Sequence, residues 1–220
     1  MKVIHYYPSV YSMFKQLLEK SLEGSSFVVT STELDTFKKK KVEKVELNGL
    51  HKLQHLCKDI EDNLGNNILY VDPTVYINPA RARDLYKYLL NFKDVDLCMA
   101  KHSKRNGYSP SVMKIKCTKK MLAFFKHVKD RVKKSKQVSE EPVINNVVKE
   151  WEGRIEFAEL NSKFLVCPFI SSEAVRQNFF AWTVWTKAEG LTSSEIYDNK
   201  VKIVFDHRFI NREDYNYYKL

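Results

Sequence analysis

Apolar and polar residues change period repeatedly along this chain, and each change marks an element. Val3 to Tyr7 is a short strand-forming run closed by Pro8 and Ser9. "SVYSMFKQLLEKSLEG" follows, with Val10, Met13, Phe14, Leu17, Leu18 and Leu22 at helical spacing and Gly24 as a stop signal. "SSFVVTS" predicts a second strand, and the Lys-rich segment with "VEKVEL" predicts a loop and a short strand. "GLHKLQHLCKDIEDNL" then sets Leu50, Leu53, Leu56, Cys57, Ile60 and Leu64 along one helical face, ended by Gly65 and Asn66. The chain next enters "NILYV", a strand with no polar alternation. Alternation would appear if one face met water, so a continuous apolar strand after a helix predicts a place inside a parallel sheet covered on both faces. Asp72 then lies just beyond the carboxyl end of that strand, the edge where open α/β sheets bind ligands.

The second half continues the pattern. "RARDLYKYLLNF" predicts a helix presenting Leu85, Tyr88, Leu89 and Phe92, and "VDLCMA" a strand. The polar loop "KHSKRNGYSPS" precedes a strand, "VMKIKC", and a long helix, "KKMLAFFKHVKDRVKK". "EEPVINNVVKEW" predicts a helix with Pro142 in its first turn, where proline is tolerated. "IEFAEL" and "KFLVCPF" predict short strands, "FFAWTVW" an aromatic strand or helix, and "KVKIVFDH" a last strand that again ends in an acid. With no repeat, low-complexity linker or Pro/Gly-rich hinge, the expected fold class is α/β. It is one domain over residues 1–220, with a mixed, mostly parallel central sheet flanked by helices.

Composition narrows the partners. Thirty-seven Lys and Arg against 27 Asp and Glu give a formal charge of +10, which favours nucleic acid, an anionic membrane surface or phosphorylated small molecules. Much of the excess is local, in Lys38 to Lys41, Lys119 with Lys120, and the stretch from Lys126 to Lys136. Such runs read either as solvated faces or as steering for an acidic ligand. The four cysteines, Cys57, Cys98, Cys117 and Cys167, lack a CxxC pair and sit in apolar settings, as buried free thiols in a reducing compartment do. No secretory h-region and no apolar run near the ~18 residues of a membrane span occurs, so a soluble, cytoplasmic protein is expected. The P-loop, GxGxxG, GxSxG and HExxH patterns are all missing from the sequence, which removes support for kinase, dehydrogenase, serine hydrolase and zinc protease chemistry.

Five stretches, in order and spacing from residue 1 to about residue 210, carry a family resemblance: "GNNILYVDPTVYINP", "DLCMAKHSKRNGYSPSVMKIKCTKKMLAFFKHV", "SEEPVINNVVKEW", "ELNSKFLVCPF" and "KIVFDH". The chain resembles the nucleotide-sugar-dependent glycosyltransferases of the GT-A fold, including those with which large DNA viruses glycosylate their own capsid proteins. The resemblance implies a nucleotide-binding half over about residues 1–80 and an acceptor-side half over about residues 81–220. It implies sugar transfer from a nucleotide-diphosphate donor to a hydroxyl of a glycan or protein, assisted by Mn²⁺ or Mg²⁺.

Residue by residue, the family's Asp-x-Asp becomes Asp72-Pro73-Thr74, with a neutral hydroxyl where the second acid stands. Asp206 and His207 would supply the missing metal ligands. Asp72 otherwise makes an Asp-Pro turn, Asp206 a turn cap, and His207 an ordinary half-exposed side chain. The family's "DQ" becomes Glu140 and Glu141, either of which would act as a base or electrostatic partner at the acceptor, or merely complement the helix dipole. Lys52, beside His51, matches a lysine that reaches the donor, and otherwise covers a solvated helix face. Lys101, Lys104 and Arg105 would meet the diphosphate, and Thr30 to Thr32 would cradle base and ribose. The family's Asn before the hairpin strand becomes Ser109 or Ser111. Two other readings stand beside this one. The fold would be kept as a non-catalytic nucleotide- or sugar-binding domain, or "FFKHVKDRVKK" would mark a basic nucleic-acid-binding protein, against which Phe124, Phe125 and Val128 sit at core-facing helical spacing.

Overall fold

The computed structural model describes residues 1–7, 12–34, 43–101, 107–135, 140–161, 165–166 and 181–183. The first half contributes strand β1 (Lys2–Tyr7), helix α1 (Ser12–Ser21), β2 (Val28–Glu33), α2 (Glu43–Asp62), β3 (Asn67–Val71) and β4 (Val75–Ile77). After a short 3₁₀ turn (Pro79–Arg81) come α3 (Ala82–Leu90), β5 (Leu97–Lys101), β6 (Tyr108–Lys116), α4 (Lys119–Lys134), α5 (Glu140–Glu150) and β7 (Phe157–Leu160). Two short strands, β8 (Leu165–Val166) and β9 (Ala181–Thr183), complete the described chain.

Six strands form the central sheet in the order β2-β1-β3-β6-β5-β7. The pairs β1·β2, β1·β3 and β5·β7 are parallel, and β6 runs antiparallel to both β3 and β5. The expectation of a mixed, mostly parallel sheet holds. Strand alternation distributes the core to two faces. Ile4, Tyr6, Ile68, Tyr70, Met113 and Ile115 pack under α2, α4 and α5. Val3, Leu69, Val71, Cys98 and Val112 pack under α1 and α3. Burial on both sides is why "NILYV" carries no polar alternation. A second sheet, β4-β9-β8, hangs beyond the carboxyl end of β3.

Two expectations need correction. "VEKVEL" is no strand, because α2 already begins at Glu43. Gly49 costs about 1 kcal/mol relative to alanine inside a helix, and the buried row of Leu53, Leu56, Cys57 and Ile60 absorbs that cost. The polar loop before "VMKIKC" is shorter than expected, since β6 starts at Tyr108. Pro110 is tolerated there because the β5·β6 register shifts between Met99 and Ala100, and such an irregularity spares the missing N–H. "FFAWTVW" supplies a strand, β9, which pairs antiparallel with β4. The nucleic-acid reading loses its motif, because Phe124, Phe125 and Val128 of α4 are fully buried against the sheet. Among the described residues, no helix is long and apolar enough to cross a membrane.

Candidate functional site

Three apolar stripes end in a charge at the same place. On α2 the buried stripe Ile60–Leu56 continues one turn further to Lys52, since residues four apart share a helix face. On α5 the stripe Val148–Ile144 continues to Glu140. On β3, Ile68 and Tyr70 face α2 and α5, and the period of two carries that face on to Asp72. The charges therefore converge.

Lys52 Nζ donates to Asp72 Oδ1 at 2.8 Å and also to Glu140 Oε1. The Tyr70 hydroxyl donates to the same Asp72 oxygen, and the ammonium lies 4.9 Å from the centre of the Tyr70 ring. All three side chains are largely buried, with 13% of Lys52, 23% of Asp72 and 15% of Glu140 exposed. The backbone fixes the carboxylate: Asp72 N–H donates to the Ser111 carbonyl at 2.8 Å, and Val75 N–H donates to the Asp72 carbonyl at 3.0 Å. Asp72-Pro73 thus closes a turn and also aims a carboxylate.

The electrostatics follow from burial opposed by pairing. Burial alone would raise the Asp72 pKa, but the Lys52 charge and hydrogen bonds from Lys52, Tyr70 and Ser111 outweigh it and hold the carboxyl below its usual range. Burial alone would lower Lys52, and Asp72 and Glu140 outweigh that, so the amine stays protonated well above its ordinary value. The Tyr70 phenol is raised by burial and then by Asp72, which keeps it a donor. The cluster carries two carboxylates and one ammonium in a partly closed site. It can accept hydroxyls and donate to an anion.

Of the residues singled out in the sequence, Lys52, Asp72 and Glu140 are brought together. Lys52 is not on a solvated face, as one of its two readings held, because its row leads inward. Helical phase separates the two acids of α5: Glu140 enters the cluster, while the Glu141 carbonyl accepts from Asn145 Nδ2 at 2.9 Å. Thr30 and Thr32 lie half-exposed on β2, in register with Ile4 and Tyr6. Thr74 sits in the turn after Asp72, and Lys101 is exposed at the end of β5. None of these four shares a hydrogen bond or ion pair with the cluster among the described residues. Lys104, Arg105, Asp206 and His207 lie outside the described residues.

The described residues do not fit a divalent ion at Asp72. Among them, no group of three or more His, Cys, Asp or Glu is placed to hold one. Thr74 brings a neutral oxygen where a second acid would stand, and Asp72 Oδ1 already takes an ammonium and a phenol. Hard divalent ions want several oxygen ligands free of such competitors.

Sequence reasoning missed two participants, Tyr70 and Asn145, and gave Ser111 no role at Asp72. Tyr70 reads as core in an apolar strand, although its place two residues before Asp72 puts it on the same face. Ser111 contributes both its backbone carbonyl and a hydrogen bond to the carboxylate. Asn145 ties α5 to β6: its Oδ1 accepts from Tyr108 N–H at 2.7 Å and its Nδ2 donates to the Tyr108 carbonyl at 2.8 Å. No periodicity announces that pairing.

No protein-family model and no curated protein matches the sequence. Solved structures do match. A glycosyltransferase involved in the glycosylation of the major capsid of PBCV-1 superposes with a TM-score of 0.62 at 14% identity, covering 91% of this chain and 98% of that one. The glycosyltransferase GlyE of Streptococcus pneumoniae TIGR4 gives 0.61 at 10% identity, with 93% of this chain aligned to 62% of that protein's length. The galactosyltransferase LgtC, in complex with donor and acceptor sugar analogs, gives 0.55 at 11% identity and covers 97% and 98%. At these identities the likeness establishes the fold, a GT-A-type α/β domain.

Proposed function

We propose that the protein transfers a sugar from a nucleotide-diphosphate donor to a hydroxyl of a glycan or protein. The observation that carries this reading is the meeting of Asp72, Lys52 and Glu140 at the carboxyl end of a central strand, within a fold shared with the three glycosyltransferases described above. Open α/β sheets bind ligands at that edge. Carboxylates held there accept sugar or ribose hydroxyls, and the ammonium donates to groups that become more negative as the sugar leaves. Glu140, oriented by Lys52, is the group assigned to the acceptor hydroxyl, as base or as electrostatic partner. Thr30 and Thr32 are assigned to the base and ribose, and Lys101 and Arg105 to the diphosphate. The likeness to glycosyltransferases favours transfer over the binding-only reading.

The test is thermal stability against UDP, GDP, CMP and their sugars, coupled to assay of sugar release and transfer. A ligand selective for the native state raises the melting temperature, and a concentration about 100-fold above Kd stabilises by about 2.7 kcal/mol. Asp72→Asn is expected to abolish the shift, whereas Glu140→Gln keeps it and loses transfer. If no nucleotide or sugar nucleotide raises the melting temperature, the proposal fails.

A further inference from the structure

We propose that Lys52 supplies, from the chain itself, the positive charge that a divalent ion would otherwise supply, so that the diphosphate is engaged without a metal. This rests on the sugar-nucleotide reading for the identity of the anion, but the cation claim stands on geometry.

One nitrogen bridges two carboxylates that come from different elements, Asp72 after β3 and Glu140 at the start of α5. That is the arrangement of a cation site with an ammonium as its cation. The lysine is fixed there: it extends a buried helical row, stands against the Tyr70 ring, and is only 13% exposed. An ammonium carries three N–H donors. Two are used on Asp72 and Glu140, and the Tyr70 phenol oxygen is a further partner of the ammonium. A phosphate oxygen entering the site would take that donor from the neutral phenol, because a hydrogen bond between charged groups is about twice as strong as a neutral one.

The same arrangement disfavours a divalent ion. An ion seeking Asp72 would stand within a few ångströms of a fixed positive charge and compete with it and with the Tyr70 hydroxyl for one carboxylate. The turn after Asp72 offers Thr74, a neutral ligand, in place of a second acid. Removing the ammonium would reverse the preference, because it would leave two buried carboxylates facing one gap. Lys52 is thus expected to exclude the metal and to replace it.

The experiment uses the full chain. Free Mn²⁺ is titrated by its electron paramagnetic resonance signal, and UDP and GDP binding is measured by calorimetry in EDTA and in Mn²⁺. Expected for the unaltered protein are no Mn²⁺ binding below about 1 mM and the same nucleoside diphosphate Kd, within about twofold, in both buffers. Lys52→Gln should weaken the nucleoside diphosphate about tenfold or more in EDTA, the worth of one charge-assisted hydrogen bond. It should also gain Mn²⁺ affinity by about tenfold or more, read independently as a rise in melting temperature with Mn²⁺. Lys52→Arg should keep the metal-independent behaviour. Should Lys52→Gln fail to fold, the Mn²⁺ titration of the unaltered chain still decides. Micromolar Mn²⁺ binding by the unaltered chain, lost in His207→Ala, would overturn the proposal, as would unchanged nucleotide affinity in Lys52→Gln. If neither nucleotide binds in any buffer, the sugar-nucleotide reading falls, and the Mn²⁺ titrations still decide whether Lys52 holds the cation position.

Discussion

The amide of Asn145 and the missing side chain of Gly107 form one contact, and a double-mutant cycle measures it. Asn145 makes three hydrogen bonds, two to the Tyr108 backbone and one to the Glu141 carbonyl. Asn145→Ala removes all three and leaves the Tyr108 N–H and C=O unpaired in a half-buried place, a loss of about 2–3 kcal/mol once some water returns. Gly107 has φ +129°, and a Cβ built there would lie 2.9 Å from Asn145 Oδ1. Gly107→Ala therefore incurs about 1–3 kcal/mol of backbone strain. It also displaces the amide, which adds about 1–2 kcal/mol from the same hydrogen bonds. In the Asn145→Ala background only the strain remains. The two effects should fall short of additivity by about 1–2 kcal/mol, measured by equilibrium urea unfolding with unchanged m-values. Because Asn145 shares α5 with Glu140, loosening it should also lower transfer activity in both single variants. Additivity within about 0.5 kcal/mol would refute the claim that amide and glycine share one contact.

Two further outcomes follow from burial elsewhere. His5 is fully buried, its Nε2 lies 2.7 Å from Ser31 Oγ, and burial pushes its pKa down to about 4, with Glu19 opposing and Lys15 assisting. The native ring stays neutral while the unfolded chain takes up a proton below about pH 6.5. The stability His5 contributes is therefore complete above pH 6.5 and is lost as pH falls toward 4, by about 3 kcal/mol in all. Urea midpoints from pH 7 to 4.5 should fall, and less steeply in His5→Leu; equal slopes would disprove it. Cys57, Cys98 and Cys117 are buried, and burial pushes the latter two thiols up to about 12. At pH 8 the folded protein should yield at most one of its four thiols, Cys167, to Ellman's reagent, and the rest only in denaturant. Rapid reaction of two or more would contradict the buried assignment.

The sequence by itself determined the layers. Period-two and period-3.6 apolar patterns depend on which face of an element is dry, so they disclosed the helices, most strands, and the doubly covered position of "NILYV". They also put Asp72 at a sheet edge, whereas the family resemblance was what singled out Lys52 and the acid pair of α5. Local propensity misled at "VEKVEL", since the helix α2 already begins at Glu43, and at Pro110, which an irregular register admits to β6. Only the tertiary structure decided that Glu140 joins the cluster, that one lysine meets both carboxylates, and that Asn145 holds Tyr108. Those facts depend on distances between residues far apart in the chain, Lys52 and Glu140 among them. A one-dimensional pattern records which side of an element is buried, but not which charge waits on the other side of the gap.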